Sequence, residues 1–291
     1  MKRFLPATFG LHSRAEQSNN AKEGTVRRWA LLILLALAGS FASREAAAGG
    51  PVWGKDMVRG SDFPPPFGVS AVYYNQKQDY EIDHLTLGIP GFSAVPTGLL
   101  RIDNEIDEVN AKFDAWLLPW LDVFGIAGKL DGKTKVDFSA IQAPFGLPFS
   151  RIDIDYDGEV YGLGAVFAGG GEHLFGSLTT IATSTSLSGD FDSSAQAFVA
   201  TPRFGAYNRR GALYVGAMYL KATEEHKGTI GLPLVPGLPP IPVPFDVKLK
   251  QKDDWNWLVG GTAGFGPNWT LQVECGFGNR DHVDVEVGYR F

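Results

Sequence analysis

The feature that most constrains this chain is an alternation of apolar and polar residues with a period of two. The last ten residues show it most clearly, with five apolar side chains on one face of a strand and four polar or charged ones on the other: Val283, Val285, Val287, Tyr289 and Phe291 against His282, Asp284, Glu286 and Arg290. This pattern indicates a β-strand with one apolar face. It fits a soluble sandwich, with the apolar face in the core, and a membrane barrel, with that face toward lipid and the charged face lining the lumen.

The same alternation recurs in segments 108–117, 152–157 and 245–259. Two of them carry charge triplets of opposite sign at alternate positions: Lys248, Lys250 and Lys252, and Asp153, Asp155 and Asp157. Inside a closed barrel such groups would neutralise one another across the lumen. The pattern therefore favours a barrel whose apolar side chains face hydrocarbon and whose ionised side chains face an enclosed interior.

Turn signals divide residues 67–291 into candidate strands. They run roughly over 67–76, 104–117, 120–138, 152–168, 172–186, 195–207, 211–225, 245–264, 268–278 and 282–291. An even number suits a single-chain barrel with both termini on one side, and a closed ring leaves no unpaired edge in lipid. We predict an all-β, antiparallel, up-and-down transmembrane barrel of about ten strands, with eight or twelve as alternatives.

The predicted connections alternate in length. Those near 118–119, 169–171, 208–210 and 265–267 are short, whereas those at 77–103, 139–151, 187–194 and 226–244 are long. Short periplasmic turns and long extracellular loops are typical of outer-membrane barrels. The one exception is the short final outer connection, 279–281.

Aromatic residues gather beside the predicted periplasmic ends, where amphipathic rings sit at the level of lipid headgroups. They are Trp116, Trp120, Phe167, Tyr207, Phe265, Trp269 and Tyr289. A core cluster is the alternative, but core aromatics have no reason to gather at one end of every hairpin.

The first 48 residues have the order of a signal peptide: a basic region that is unusually long, an apolar core from Trp29 to Phe41, and small residues at Ala46–Ala48. We expect residues 49–66 to form a periplasmic segment before the barrel.

The charge of the chain after residue 48 is strongly negative. Residues 1–48 carry seven of the 26 basic and three of the 32 acidic residues, so the remainder has 19 basic and 29 acidic residues and a net charge of −10. This balance argues against a nucleic-acid partner. Cys275 is the single cysteine, so internal disulfides are excluded, and we expect no cofactor and no metal.

The chain ends in Tyr289-Arg290-Phe291, which resembles the assembly signal of Gram-negative outer-membrane β-barrel proteins. The resemblance implies insertion by the barrel-assembly machinery, a location in the bacterial outer membrane, and contact with its lipid and lipopolysaccharide. The segment from Trp116 to Phe124 also resembles an uncharacterised proteobacterial outer-membrane family, from which no active residue carries over.

The barrel pattern defines candidate site residues. We expect the lumen to be lined by Lys112, Asp114, Asp153, Asp155, Lys248, Lys250, Asp254, Glu274, Glu286 and Arg290. A lumen of ten strands with this many charges should be narrow or plugged.

In the outer loops, the run from Leu232 to Phe245 is too rich in proline for a helix or a central strand. Its apolar, exposed character predicts contact with an apolar ligand or a surface partner through Pro233, Pro236, Pro239 and Pro240, although the loops could equally cap one another.

These features predict a structural or interaction role in the cell envelope. A selective small-solute channel is the alternative. A third hypothesis is a rim hydrolase like the ten-stranded omptin-type proteases, which place Asp-Asp and Asp-His pairs at the outer rim. Asp153-x-Asp155 and His282-x-Asp284 would share inward parity near the outer strand ends, but omptin-like chains carry D-x-H where this chain has H-x-D. We therefore expect no enzyme activity, with a rim hydrolase left open.

Overall fold

The computed structural model describes residues 49–57, 63–88, 100–137, 139, 151–188, 191–208, 210–232, 239, 241–266 and 268–291. A short 3-10 turn, Lys55–Met57, precedes eleven strands. They are β1 (Phe67–Leu87), β2 (Arg101–Leu118), β3 (Leu121–Asp137), β4 (Arg151–Gly170), β5 (Leu174–Ser188), β6 (Phe191–Asn208), β7 (Gly211–Leu232), β8 (Ile241–Gln251), β9 (Trp255–Phe265), β10 (Trp269–Phe277) and β11 (Arg280–Arg290). In the described part of the chain, no helix is long and apolar enough to cross a membrane.

The strands form one closed antiparallel sheet. Each strand from β1 to β7 pairs with the next, and β11 returns to pair with β1 from Gly68↔Arg290 to Gln78↔Arg280. Closure leaves the ring without an unpaired edge, which lipid would penalise heavily. The prediction of an antiparallel up-and-down barrel is confirmed.

The ring contains ten strands at one end and eight at the other. The first half of β7 pairs with β9 and its second half with β8, so β8 and β9 are one long strand interrupted at residues 252–254. Counted through β9, β10 and β11, the barrel has ten strands, as predicted. The β10–β11 turn ends that hairpin early, and beyond it β8 pairs directly with β1 from Tyr80↔Gln251 onward. We call these two levels the ten-stranded part and the eight-stranded part.

Strand lengths indicate which part lies in the bilayer. β9, β10 and β11 have 11, 9 and 11 residues, which matches the roughly 9–11 residues that a tilted strand needs to cross a membrane. β1 and β7 have 21 and 22 residues and continue far beyond that hairpin. The ten-stranded part therefore has the length to span the bilayer, and the eight-stranded part extends beyond it. We call the end with the short turns, which we predict to be periplasmic, the periplasmic end, and we call the opposite end the outer end.

The exterior surface changes chemistry at the same level. Large apolar side chains are exposed around the ten-stranded part, among them Phe113, Leu163, Leu213, Val215, Trp257 and Phe277. The exterior of the eight-stranded part instead carries ion pairs, including Lys133–Asp155, Lys250–Asp83 and Lys248–Glu225. An apolar band below a charged collar is the surface of a transmembrane barrel. The predicted location in the bacterial outer membrane is confirmed.

The interior changes in the opposite sense. Inside the eight-stranded part, Tyr80, Ile102 and Leu249 form a buried cluster, with Ile82, Val136 and Val247 packed against it. The expectation that apolar residues face outward along the whole barrel is therefore wrong for this part. The physical reason is that its exterior meets water, so its apolar side chains gain most by packing inward, as in a soluble protein.

Several strands are longer than the sequence predicts. The segments 77–87, 226–232 and 241–244 were predicted as loop but belong to β1, β7 and β8. Pro242 and Pro244 lie inside β8, where they pair with Gly231 and Thr229 of β7. The Pro244 carbonyl accepts a hydrogen bond from the amide of Gly88, the residue that follows the end of β1. This carbonyl therefore points toward β1 and away from β7. Because N–H and C=O of one residue point to the same side of an antiparallel strand, the donors that these prolines lack face away from β7, and the β7–β8 ladder is preserved.

Candidate functional site

The interior of the barrel contains a cavity of about 980 Å³, which we call the chamber. Its outer end is bordered by Tyr80 and Glu224. Its other end reaches Asn208 and Gly211, beside a periplasmic turn. The chamber therefore extends through the whole ten-stranded part, which is the part that spans the bilayer.

Two walls of unlike chemistry face each other across the chamber. The wall formed by β3 to β7 is mainly apolar, with some hydroxyl groups: Phe124, Ile126, Val160, Phe175, Thr179, Ile181, Thr183 and Val199 line it. The wall formed by β10, β11, β1 and β2 carries most of the ionisable groups: Glu108, Lys112, Glu274, Asp284 and Glu286. The chamber is thus amphipathic rather than uniformly charged.

Most buried charges are engaged in ion pairs across neighbouring or facing strands. Lys112 Nζ lies 2.8 Å from Glu286 Oε1, and Arg203 Nε of β6 lies 2.7 Å from Glu274 Oε2 of β10, three strands away around the ring. Both Arg203 and Glu274 are largely buried, with side-chain exposures of 15% and 2%. Pairing of this kind is required to hold charges in a medium of low dielectric constant.

A second network lies at the periplasmic end of the lumen. The Arg290 guanidinium contacts Asp114 and lies 3.3 Å from Asp122. The same guanidinium donates a hydrogen bond to the Pro65 carbonyl at 3.0 Å and stacks over the Trp116 ring. It therefore joins the last strand to the chain segment that leads into the first.

That N-terminal segment lies across the periplasmic mouth. The amides of Val52 and Trp53 donate to the carbonyls of Trp116 and Leu117 at 2.8 and 2.9 Å. Phe63 packs edge-on against the Trp116 ring, with 5.4 Å between centroids, and helps to line the chamber. The segment thus narrows the periplasmic entrance.

The outer end of the chamber is closed by side chains, which we call the outer plug. It consists of the Tyr80, Ile102 and Leu249 cluster with its partners Ile82, Val136 and Val247. Tyr80 of β1 donates a 2.6 Å hydrogen bond to Glu224 of β7, on the other side of the intervening strand β8. Below the plug, Asn104 donates hydrogen bonds to Thr134 and Tyr156 at 2.8 and 2.7 Å. An eight-stranded ring is narrow enough for side chains to fill, and this cluster occupies its interior along β1, β2, β3 and β8.

Five of the residues predicted to line the lumen have their side chains inside the ten-stranded part. They are Lys112, Asp114, Glu274, Glu286 and Arg290, and each belongs to one of the ion pairs just described. The structure brings them together on the wall formed by β10, β11, β1 and β2.

The other five predicted lumen residues lie outside the lumen. Lys133 contacts Asp155 and Arg151 contacts Asp153 on the exterior of the eight-stranded part. Lys248 and Lys250 pair with Glu225 and Asp83, also on the exterior. Asp254 is exposed in the β8–β9 interruption, where it accepts a hydrogen bond from Gln251. The prediction assumed that charged residues face inward at every level, which fails once a strand leaves the membrane.

The predicted proline-rich contact surface falls mostly outside the described residues. Pro233, Pro236 and Pro240 lie outside them, and Pro239 is exposed. The predicted signal peptide, residues 1–48, also lies outside them.

The predicted aromatic belt holds with one exception. Trp120 stacks on Phe167 at 6.2 Å, and Trp269 packs edge-on against Tyr289 at 5.0 Å, at the periplasmic ends of their strands. Trp116 instead lines the chamber, because even-numbered residues of β2 point inward. Of the predicted assembly signal, Phe291 is exposed and stacks on Tyr289 at 6.5 Å. Its role in assembly stays a prediction.

The residues considered for a rim hydrolase do not come together. His282 and Asp284 lie on β11 with their side chains in the interior, whereas Asp153 and Asp155 lie on the exterior of β4. The barrel wall therefore separates the two pairs. Among the described residues, no group of three His, Cys, Asp or Glu side chains is placed to hold a metal ion.

Sequence reasoning missed the chamber's apolar wall and two residues that connect non-adjacent strands inside the barrel. Arg203 and Tyr80 make the long-range contacts to Glu274 and Glu224. Arg203 follows Pro202 in an otherwise apolar and hydroxyl-rich strand. A lone arginine at inward parity was the signal that could have identified it.

Comparisons with known proteins give likenesses of fold type. No family model matches the chain, and no curated protein matches it. Among solved structures, the outer membrane protein OprG from Pseudomonas aeruginosa has 9% identity and a TM-score of 0.46, covering 78% of this chain and 97% of that one. The transport unit of the autotransporter AIDA-I from Escherichia coli has 9% identity and a TM-score of 0.39, covering 78% and 90%. The Ralstonia pickettii toluene transporter TbuX has 9% identity and a TM-score of 0.33, covering 79% and 90%.

Proposed function

We propose that this outer-membrane barrel binds a small, largely apolar organic molecule in the chamber. The observation that carries the proposal is the cavity of about 980 Å³ with an apolar wall along β3 to β7. Ligand pockets for small organic molecules have volumes of about 300–1,000 Å³ and are lined mainly by apolar groups, with a few polar groups that orient the ligand. The chamber has this size and this division of chemistry.

The change in strand number explains why such a space exists. Eight strands enclose an interior that side chains fill, and a wider ring leaves room. The β10–β11 hairpin widens the ring only within the bilayer, so the space lies at membrane depth. A molecule in the chamber would meet apolar residues on one side and the ion-paired wall on the other.

Binding in the chamber suits the interaction role in the cell envelope that the sequence suggests. Transfer of the molecule to the cell surface would require the outer plug to move, because the plug fills the barrel above the chamber. The exposed apolar band and the charged collar are the surfaces that we propose contact lipid and lipopolysaccharide. We also propose that residues 49–66 lie in the periplasm and that Tyr289 and Phe291 direct assembly.

A selective channel for small ions is the second candidate. It is favoured by the excess of carboxylates over cations on the charged wall. Two features count against it: the outer plug, and the pairing of Lys112 and Arg203 with Glu286 and Glu274, which occupies two of the carboxylates that a cation would follow.

Filling the chamber tests the proposal directly. The protein would be refolded into phosphatidylcholine nanodiscs and titrated by calorimetry with 4-phenylbutan-1-ol, a neutral probe small enough for the chamber. Ala197 and Ala222 are paired neighbours on β6 and β7, and both line the chamber. The A197W/A222W variant should therefore lower the affinity for the probe by about tenfold or more, which is about 1.4 kcal/mol.

The matched control places the same side chains on the lipid face. Ala127 and Ala182 are exposed on β3 and β5, where an added Trp meets hydrocarbon. The A127W/A182W variant should bind the probe like the unmodified protein. Equal loss in both variants, or no binding by the unmodified protein beyond that of empty nanodiscs, would contradict binding in the chamber.

A further inference from the structure

The charged wall of the chamber contains more carboxylates than cations. The chamber is lined by Glu108, Glu224, Glu274, Asp284 and Glu286, and by only two cations, Lys112 and Arg203. These two cations already pair with Glu286 and Glu274. In the part of the chain that the structure describes, Glu108 and Asp284 have no cation within ion-pairing distance.

The two carboxylates that lack a cation lie at one level of the barrel. Tyr74 of β1 pairs with Glu108 of β2 on one side and with Asp284 of β11 on the other. With strands spaced about 4.8 Å apart, their backbones lie about 10 Å apart. The Tyr74 hydroxyl donates its hydrogen bond to Gln76 at 2.7 Å and therefore donates to neither carboxylate.

A buried amide beside them presents a further acceptor. Asn110 is 4% exposed and lines the same chamber. Its Nδ2 donates to Glu108, which fixes the orientation of the amide. Its Oδ1 has no hydrogen-bond partner among the described residues. Gly128, the register partner of Asn110 on the neighbouring strand β3, leaves room for this oxygen, because a Cβ at that position would collide with it. A buried acceptor without a donor is costly unless something supplies the donor.

The remaining arginines of the interior do not supply it. Arg280 donates to Gln78 and lies near Met218 toward the outer end, and Arg290 is held by Asp114 and Asp122 at the periplasmic end. Neither of them lines the chamber. The carboxylates of Glu108 and Asp284 therefore line the chamber without a matching cation, beside a buried amide oxygen that lacks a donor.

From this juxtaposition we infer that the chamber's ligand is an organic cation, whose ammonium group is held by Glu108 and Asp284 beside Asn110 and whose apolar body lies against the wall of β3 to β7. The inference rests on the proposed function and names its ligand class. A bare metal ion would match the carboxylates and leave the apolar wall unused. An anion would meet uncompensated carboxylates. Only a molecule with a cationic head and an apolar body matches both walls.

Three probes of one shape test this inference. The protein in phosphatidylcholine nanodiscs would be titrated by calorimetry with 4-phenylbutylammonium, neutral 4-phenylbutan-1-ol and anionic 4-phenylbutyrate, with empty nanodiscs subtracted. The ammonium should bind at least about tenfold more tightly than the alcohol, because a charge-assisted hydrogen bond is formed away from water. The carboxylate should bind more weakly than the alcohol.

Neutral variants then test which groups hold the ammonium. The E108Q/D284N variant should lose the preference for the ammonium and keep its affinity for the alcohol. It should fold, because it removes two carboxylates that lack ion-pair partners. The control is D281N, which changes an exposed aspartate three residues away on the same strand and should leave all three affinities unchanged.

The outcomes separate this inference from the proposal on which it rests. If the alcohol fails to bind, the chamber itself is not a binding site. If the alcohol binds but the ammonium binds no better, or if E108Q/D284N keeps the full preference for the ammonium, the cation site is wrong while the chamber stands. Preference for the carboxylate would also overturn it.

Discussion

The two parts of this barrel are built from the same strands and have opposite interiors. In β2, Ile102 lies in the outer plug with 1% exposure, whereas Lys112, on the same face, lies in an ion pair within the ten-stranded part. The exterior of the strand reverses too, from Asp103 in a surface ion pair with Arg101 to exposed Phe113. The medium outside differs between the two levels: water surrounds the eight-stranded part and hydrocarbon surrounds the ten-stranded part. Alternation specifies two faces, but the surrounding medium decides which of them points inward.

The comparison also separates two ways of stabilising a barrel interior. The eight-stranded part is narrow and filled by packed apolar side chains. The ten-stranded part is wider and is held across the lumen by ion pairs, which leave the chamber between them. Variants in each part should therefore fail for different reasons and by different amounts.

The largest loss is expected from breaking the ion pair that spans the chamber. Replacing Glu274 with Ala would leave Arg203 buried without its carboxylate. An uncompensated buried charge of this kind typically costs about 3–5 kcal/mol. The free energy of unfolding, measured by urea titration of the protein in phospholipid vesicles, should fall by an amount in that range.

The control removes both charges together. The R203M/E274L variant replaces the pair with apolar residues of similar size, which is often neutral or stabilising. It should recover most of the stability that E274A loses. If the double variant is as unstable as E274A, the loss arises from packing around Glu274 and the ten-stranded part does not depend on this charge pair.

A smaller loss is expected from the outer plug. Replacing Ile102 with Ala leaves a cavity among Tyr80 and Leu249 and should cost about 2–4 kcal/mol. The I181A variant removes the same atoms from a wall that already borders open space, so its cost should be clearly smaller. Urea titration under the same conditions gives both values.

Plug variants should also change conductance. In a planar bilayer the unmodified protein should pass no steady current, because the plug fills the eight-stranded part. The I102A/L249A variant should show measurable openings, while I181A should stay silent. Steady conductance in the unmodified protein would show that the plug does not close the barrel, and it would favour the ion channel over the binding chamber.

The sequence predicted the ring well because its signals are local. Period-two alternation, turn residues and short connections identified the strands from β2 to β6 to within a few residues. The C-terminal alternation from Val283 to Phe291 correctly predicted the strand that closes on β1. Nothing local marks where the barrel narrows, since the β10–β11 hairpin differs from its neighbours only in length.

The candidate site was harder to predict from the sequence, because it depends on which residues meet inside the barrel. Lys112 and Glu286 are 174 positions apart, and Arg203 and Glu274 are 71 apart, so strand register and barrel curvature bring them together. Asp153 and Lys248 have the same local pattern as true lumen residues and differ only in their height above the membrane. The apolar wall was missed for the same reason, because nothing beside Ile126 or Val199 in the sequence shows that these residues face a charged wall across the lumen.

The smallest effect is expected from the exterior of the eight-stranded part, where Lys248 Nζ lies 2.5 Å from Glu225 Oε1 and both side chains are about two-fifths exposed (42% and 41%). The hydrogen bond and charge of Lys248 hold the pKa of the Glu225 carboxyl below its ordinary value. A lowered carboxyl pKa contributes stability that is present above the ordinary glutamate pKa and is lost as pH falls through the lowered value. Water screens this pair, so its contribution to stability should be too small to measure. The E225Q variant should therefore have the same urea midpoint as the unmodified protein at pH 7, and the midpoints of both proteins should fall equally as the pH is lowered. A loss from E225Q as large as that from E274A would mean that surface ion pairs, rather than the packed plug, hold the eight-stranded part together, and the contrast between the two parts would fail.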